Sequence, residues 1–492
     1  MQINNSISDS NFLGRNTSDF LKWIDFDNQI YEVKDIDNVE SIKISRDENF
    51  ILNFELVCSI PKEIYNITGG EIEEYFESKI KDKIIIYDPQ NNNEIKMIKN
   101  NISSINILII STSNKITIKG ESSYIEKYNK NINEKADFSI YLFLNSASKE
   151  FYTDWFDITE DDKTFFFPCL NLKYKNIDFS YVRYDKKLSI KGASFLKFRK
   201  GNDFLEKFID DIIIALSYIC GNELIPIGCS EYDKNNVPIK ITYKCKNHQG
   251  ILKDQYKPLL SPRNPKQIEE INKSFSNFLS QNKNLTIDEI NNFFKKNPRD
   301  NKNNEINKFL ESYSKNKEKY DLPLIFRYIN ISRYITYEDA KIYPLSTVFD
   351  IIKNKYISEY KDRPENKEKY NKLKTLLEKN KEDKDFIIFK ILDMDLSECE
   401  KIAIGFRDDV VHGRMENIKK RSMEDIINLS YCYYTLVNRL ILKILEIDYY
   451  MMNYNTSKSI IREVSKKQIG KYFSSKEEIE KELNDELENK IP

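Results

Sequence analysis

The 492-residue sequence predicts an α+β fold, in which a β-rich, sandwich-like N-terminal domain precedes an all-α helical-bundle domain. Two observations lead to this prediction. Short apolar runs separated by Asn, Asp, Ser and Gly fill residues 1–200, as expected for strands joined by turns. From about residue 265 onward, apolar residues recur every three or four positions, which is the period of a helix that buries one face.

The first strands are predicted from a hairpin signal. The run SIKIS at 41–45 and the run FILNFELVCSI at 50–60 flank the polar segment RDEN. Similar runs follow along the chain, among them DKIIIYD, INILIIS, NKITIKG, DFSIYLFLN and TFFFPCLNLKYKNIDFSYVRY. Residues 1–200 are therefore predicted to form a β-rich domain, and we assign recognition or sensing to it because loops between strands are common binding surfaces.

A connecting segment is predicted at 201–264, where the character of the sequence changes. The stretch DFLEKFIDDIIIALSYICG has apolar residues three or four positions apart and ends in Gly221, which suits a helix followed by a C-terminal glycine. The stretch VPIKITYKC then looks extended. The helical domain is predicted at 265–455, and residues 456–492 are predicted to be a charged tail.

Two helices of the C-terminal half have clear start signals. Ser397-Glu398-Cys399-Glu400 has the form of a capping box, and Gly413 is placed to end the helix that follows. After the basic connector RMENIKKR, a second helix is predicted to start at Ser422 and to continue through IINLSYCYYTLVNRLILKILEI.

The amino-acid composition limits the classes of function that this chain can have. Lys and Arg number 77 against 78 Asp and Glu, so the formal net charge of -1 argues against non-specific coating of nucleic acid, although a local basic cleft remains compatible with it. Seven scattered cysteines do not form a disulfide framework. We see no secretory signal and no apolar run long enough to span a bilayer, so we expect a cytoplasmic protein with no membrane partner.

The segment GFRDDVVHGR at 405–414 places several polar residues on an otherwise apolar helix. Asp408 and His412, four residues apart, share one helix face, and Arg407 lies on the neighbouring flank. A single helix cannot easily direct Arg407 and His412 to one atom. Two copies packed about a two-fold axis could each contribute both residues to one cleft.

RNA cleavage without a metal is the chemistry that suits such a cleft. His412 would act as the general acid or base toward the ribose 2′-OH, and Arg407 would stabilise charge on the phosphate. Asp408 would orient either the imidazole or Arg407. The expected products carry a 2′,3′-cyclic phosphate and a 5′-OH.

The stretch FRDDVVHGR resembles the R-x4-6-H signature of HEPN ribonuclease domains. Asp408 takes the polar position after the arginine, and Val410 and Val411 take the apolar positions before the histidine. The order of a β-rich region and a helical region is similar to that of ApeA-like anti-phage proteins. The resemblance implies a homodimeric or larger toxin-like RNase of abortive infection, which cleaves RNA such as tRNA without a cofactor after a phage-encoded trigger is sensed.

Several other assignments stay open. Arg414, Lys419, Lys420 and Arg421 would either hold RNA phosphates or form a solvated loop between helices. A non-catalytic RNA- or protein-binding module is the alternative to an enzyme.

Two metal sites are also considered. Asp88, Glu94 and Lys96 imitate the D…E-x-K pattern of metal-dependent nucleases, and a polar hairpin loop is the competing interpretation. Cys220, Cys229, Cys245 and His248 have the ligand types of a zinc site, and the competing interpretation is ordinary buried thiols.

Overall fold

The computed structural model describes residues 30–33, 38–46, 52–59, 83–88, 93–98, 102–110, 115–122, 124–129, 135–143, 154–160, 163–184, 193–199, 205–234, 238–244, 258–260, 273–274, 277–278, 280, 304–380, 383–447, 450–454 and 460–463. The chain divides into two compact units. Residues 1–210 and 224–253 form the first unit, and residues 211–223 and 254–492 form the second. Strands occupy the first and helices dominate the second, so the predicted α+β class is confirmed.

The first unit is built from antiparallel strands in two sheets that β1 joins, because β1 pairs with β2 on one side and with β4 on the other. The strand order is β10-β11-β12-β13-β9-β14-β15-β8-β5-β4-β1-β2-β3-β7-β6. The strands are β1 (Ile30–Val33), β2 (Val39–Arg46), β3 (Leu52–Ser59), β4 (Lys83–Asp88), β5 (Asn93–Ile98), β6 (Ile102–Ile110), β7 (Lys115–Ser122), β8 (Tyr124–Asn129), β9 (Phe138–Phe143), β10 (Asp154–Glu160), β11 (Lys163–Tyr174), β12 (Ile177–Tyr184), β13 (Ala193–Phe198), β14 (Pro226–Tyr232) and β15 (Pro238–Lys244).

The hairpin of β2 and β3 shows how alternation produces the sheet. Along β3, buried and half-buried side chains alternate, and the buried set is Leu52, Phe54, Leu56 and Cys58. A period of two puts every second side chain on one face, so one face of β3 is apolar and packs into the core. The predicted hairpin is confirmed, since β2 and β3 pair antiparallel with Ile44 opposite Phe54.

Strands β14 and β15 belong to the sheet of the first unit. β14 pairs with β9, and β15 pairs with β8. These residues were predicted to lie in a connecting segment at 201–264. Their partners precede them by about a hundred residues along the chain, which a local sequence pattern does not reveal.

The second unit contains the helices α1 (Ile209–Cys220), α2 (Asn304–Tyr320), α3 (Leu322–Tyr334), α4 (Ile342–Asp362), α5 (Pro364–Lys379), α6 (Phe386–Ile391), α7 (Glu398–Val411), α8 (Met415–Lys419) and α9 (Met423–Ile444). A short antiparallel hairpin of β16 (Tyr450–Asn453) and β17 (Ile460–Glu463) follows α9. This hairpin lies across position 455, where the sequence analysis ended the helical domain and began a charged tail.

Arg333 of α3 fastens α1 into this unit. Its side chain is buried, and its guanidinium donates to the carbonyls of Ser217 at 3.1 Å and Tyr218 at 2.9 Å. The carbonyls of a last helical turn have no partner within the helix, so Arg333 supplies a donor to two of them. The Tyr218 carbonyl also accepts from the amide of Gly221 at 3.4 Å. The Nε of Arg333 also donates to the hydroxyl of Tyr434 in α9 at 2.8 Å. A single cation thus connects three helices.

Among the residues that the structure describes, no helix has the length and apolar character needed to cross a membrane.

Candidate functional site

Helix α7 carries the polar motif, and its start is the capping box predicted from the sequence. The Ser397 hydroxyl accepts from the amide of Glu400 at 3.2 Å, and Glu400 accepts from the amide of Ser397 at 2.9 Å. The second carboxylate oxygen of Glu400 accepts from Arg439 of α9. Glu400 and Arg439 are both fully buried, so this ion pair joins the first turn of α7 to α9.

The end of α7 is set by Gly413, as predicted. Gly413 has a φ of 64°, a left-handed conformation that glycine adopts without the steric penalty of a Cβ. Its amide donates to the carbonyl of Val410 at 3.2 Å, and the amide of Arg414 donates to the carbonyl of Asp409 at 2.8 Å. This pair of bonds is the Schellman pattern. It terminates the helix at His412, which is the C-cap residue.

Arg407 is buried among polar groups from three segments, which are α4, the residue before α6, and α7 itself. Its side chain is 8% exposed. Nε donates to the Ser346 hydroxyl at 2.7 Å, and Nη1 donates to Asp408 at 2.6 Å and to Asp385 at 3.2 Å. Nη2 donates to Asp350. We call Asp350, Asp385 and Asp408 the carboxylate clamp.

A second cation belongs to this cluster. Lys353 donates to Asp385 at 2.7 Å and to Asp350 at 3.1 Å. Burial acts to lower the pKa of Lys353, but the hydrogen bond and charge of Asp385, followed by those of Asp350, raise the pKa above its ordinary value. Two cations therefore face the three carboxylates of the clamp.

The charges of the clamp also hold Arg407 in its ionised form. Burial acts to lower the pKa of Arg407, but the negative charges and hydrogen bonds of the carboxylate clamp outweigh it, so the pKa is raised. The Tyr433 hydroxyl is buried and has no hydrogen-bond partner among the residues that the structure describes. Its pKa is raised, first by burial, which keeps this hydroxyl neutral.

His412 lies at the surface, in contrast to Arg407. It is exposed at the C-terminus of α7, and its imidazole has no hydrogen-bond or ion-pair partner within the described part of the chain. Two roles were predicted for Asp408, namely to orient the imidazole or to orient Arg407. The structure shows it bound to Arg407 rather than to the imidazole.

One face of α7 is open to solvent from its first turns to His412. Lys401, Ile402 and Gly405 are exposed on it, with Ile402 at 38%. A Cβ placed on Gly405 would meet no atom within 4 Å. The open face therefore carries the apolar side chain of Ile402, and in its middle lies Gly405, which has no side chain.

The predicted basic cluster is split between two environments. Lys419 and Lys420 are exposed, and neither has an ion-pair partner in the described residues. Arg414 lies 3.6 Å from Asp409, and the Arg421 guanidinium lies over the ring of Phe406, 5.6 Å from its centroid. The two lysines are therefore the members of the cluster best placed to meet a phosphate.

The residues of the predicted metal sites are only partly described. Asp88 and Lys96 lie on the paired strands β4 and β5, and their side chains fall outside the described residues. Cys220 and Cys229 are buried, while Cys245 and His248 lie outside the described part. Burial raises the pKa of Cys229, which disfavours the thiolate that zinc requires.

Within the described ranges, no group of three His, Cys, Asp or Glu residues could hold a metal ion. This result covers the carboxylate clamp, whose oxygens point to Arg407 and Lys353.

Four residues of the cluster were not predicted from the sequence: Ser346, Asp350, Lys353 and Asp385. The first three had a signal, because they are spaced by four and three residues in the otherwise apolar stretch LSTVFDIIK and so form one polar stripe on α4. Asp385 had none, since it lies in a short polar segment before α6.

Comparisons with known protein families, with curated proteins and with solved structures found no match to this chain. The resemblance to HEPN domains therefore rests on the motif and on the order of the two regions.

Proposed function

We propose that this chain is a metal-independent endoribonuclease in which His412 and Arg407 carry the chemistry. The observation that supports this most is the exposed imidazole at the end of α7, which has no partner among the residues that the structure describes and follows a buried, charged arginine by five residues. An imidazole in contact with water can accept a proton from a ribose 2′-OH or donate one to the leaving 5′ oxygen. The exposed Lys419 and Lys420 lie shortly after it along the chain and supply charge for RNA phosphates.

The active unit that we propose is a homodimer joined through the open face of α7. Arg407 and His412 differ in depth on one chain, so a second copy offers a way to bring an arginine and a histidine to one phosphate. Gly405 favours close approach of two helices at this face because it has no side chain, and Ile402 provides apolar surface to bury.

The carboxylate clamp explains why such an enzyme would be inactive until triggered. Four of the five N–H groups of Arg407 are engaged by Ser346 and the three carboxylates, so the guanidinium must exchange a carboxylate for a phosphate before it can act. Asp350 is the most exposed of the three, at 39%, and is the partner that solvent reaches first. A trigger that favours the released arginine shifts the population toward the active form.

We further propose a cytoplasmic anti-phage role, in which the β-rich unit senses a phage product and tRNA or another cellular RNA is cut. This part rests on the resemblance to ApeA-like proteins.

RNA cleavage measured in EDTA tests the proposal. His412→Ala is expected to lower the rate by about 100-fold or more, the usual contribution of a general acid or base. Asp350→Asn is expected to raise basal cleavage, because it weakens the clamp. Lys372→Ala, at an exposed position of α5, is the control and should match the wild type.

One outcome of the same assay would contradict the proposal. Cleavage that EDTA abolishes, and that survives both His412→Ala and Arg407→Ala, would sink the proposal and favour the Asp88, Glu94 and Lys96 alternative.

A non-catalytic binding module is the second candidate, and the burial of Arg407 favours it. Four polar contacts and a position over the Phe349 ring, 5.7 Å from its centroid, are also what a structural arginine would show. Under this alternative the wild type binds RNA and leaves it intact under every trigger tried.

A further inference from the structure

Two cysteines meet between α7 and α9. Cys399 is the second residue of α7, and Cys432 lies in the first half of α9. Their Sγ atoms are 2.7 Å apart, although both are present as thiols. A disulfide bond measures about 2.05 Å, so a small movement of either side chain would bring the two sulfurs to bonding distance.

The surroundings hold this pair in place. Cys399 is 2% exposed and Cys432 is fully buried. The neighbouring residue Glu400 forms the buried ion pair with Arg439, so the same two helices are anchored at a second point. Side chains at such an interface have little freedom to rotate apart, which favours reaction between the two sulfurs.

We propose that Cys399 and Cys432 are a redox-reactive pair, which a peroxide converts to a disulfide that fastens α7 to α9. One thiolate attacks an oxygen of hydrogen peroxide, the O–O bond breaks, and a sulfenic acid and one water form. The second thiol attacks the sulfenic sulfur and expels the second water. Two thiols lose two protons and two electrons in total, and one peroxide becomes two waters.

The cross-link would enclose a chain segment that contains Arg407, His412, α8 and the start of α9. It would hold the first turn of α7 against α9 and restrict the unfolded chain. A thiol reductant reverses the reaction by exchange. This inference concerns the interface of α7 and α9 and does not depend on RNA cleavage.

Peptide mapping of the full-length protein tests it. The wild type is treated with hydrogen peroxide, its remaining thiols are alkylated in denaturant, and it is digested without reductant. A linked pair of peptides containing Cys399 and Cys432, two hydrogens lighter than their sum, is expected. The melting temperature should rise by roughly 5–10 °C on oxidation, given the usual effect of closing a loop of this size, and return with reductant.

Cys58→Ser, at a buried thiol of β3, is the matched control and should keep both the linked peptides and the thermal shift. Cys432→Ser should lose both. The mapping on the wild type needs no variant, so it decides the question even if Cys432→Ser folds poorly. Recovery of Cys399 and Cys432 as separately alkylated thiols after peroxide treatment would overturn the proposal, as would linkage of either one to a different cysteine.

Discussion

At the scale of single residues, Arg407 is the cation on which three carboxylates depend. Asp385 is 13% exposed at its side chain and Asp408 is 25% exposed, so water only partly screens them from each other. Lys353 contacts Asp350 and Asp385, whereas Asp408 contacts Arg407. Loss of Arg407 would leave the clamp with one cation for three negative charges.

We therefore expect Arg407→Ala to destabilise the protein by about 3 kcal/mol, the lower end for removing one partner of a buried ion pair, because Asp350 is partly solvated. Urea denaturation followed by circular dichroism measures the loss. The same substitution in an Asp385→Asn background should cost less, since one buried carboxylate has been neutralised. Strictly additive effects would contradict a coupled clamp and would indicate that Arg407 acts through packing alone.

At the scale of elements, the sequence shows where α7 begins and ends, but it does not show which side chains Arg407 of α7 contacts. The capping box and Gly413 are local features, separated by a few residues from the groups they bind, so the sequence predicts both ends of the helix. The partners of Arg407 come from 22 and 57 residues away for Asp385 and Asp350. Only the packing of α4, α6 and α7 brings them together, and no local pattern encodes that.

The same reasoning applies to the sheet. The hairpin of β2 and β3 could be predicted because its strands adjoin, whereas the pairing of β15 with β8 joins residues more than a hundred positions apart. The polar stripe of Ser346, Asp350 and Lys353 lies between these cases. The helical spacing of these three residues is visible in the sequence, but the side chains that they contact are not.

Gly405 gives a prediction at this scale. It sits inside a helix with open space where a Cβ would lie, so Gly405→Ala should stabilise the fold by about 0.5–1 kcal/mol through a lower entropy of the unfolded chain. Chemical denaturation measures this effect.

A larger side chain at position 405 tests the proposed dimer contact separately from folding. Gly405→Leu should leave the helix intact and reduce the dimer fraction measured by light scattering, while Thr375→Leu on an exposed position of α5 should not. A dimer that persists unchanged with leucine at 405 would place the subunit contact elsewhere.

At the scale of the whole molecule, the helical unit is discontinuous in sequence. Residues 211–223 belong to it, and residues 224–253 return to the β-rich unit. Tyr218 of α1 stacks on Phe326 with a centroid distance of 4.0 Å, and Arg333 binds two carbonyls of α1. Residue 200 was predicted to end the β-rich domain. A cut there would separate β14 and β15 from β9 and β8, the strands they pair with.

We expect a fragment of residues 254–492 to melt well below one in which residues 205–223 are joined to 254–492 by a short Gly/Ser linker. The first lacks α1, so Arg333 loses two acceptors and Phe326 loses an aromatic neighbour. Thermal unfolding followed by circular dichroism compares them. Equal melting temperatures would show that α1 contributes little to the helical unit. The second fragment is also the better starting point for testing whether the β-rich unit acts as a sensor.

The path of α1 also sets the order of events on the ribosome. Arg333 follows Ser217 by 116 residues, so at roughly 5–20 residues per second α1 is made about 6–23 s before the arginine that caps it. During that interval the nascent chain completes β14 and β15, which pair with β9 and β8 of the first unit. Strands on both sides of α1 in the sequence can therefore pair with each other while the apolar side of α1 still awaits partners to be translated. Until those partners are made, the apolar side of α1 is exposed and open to contacts with other apolar surfaces.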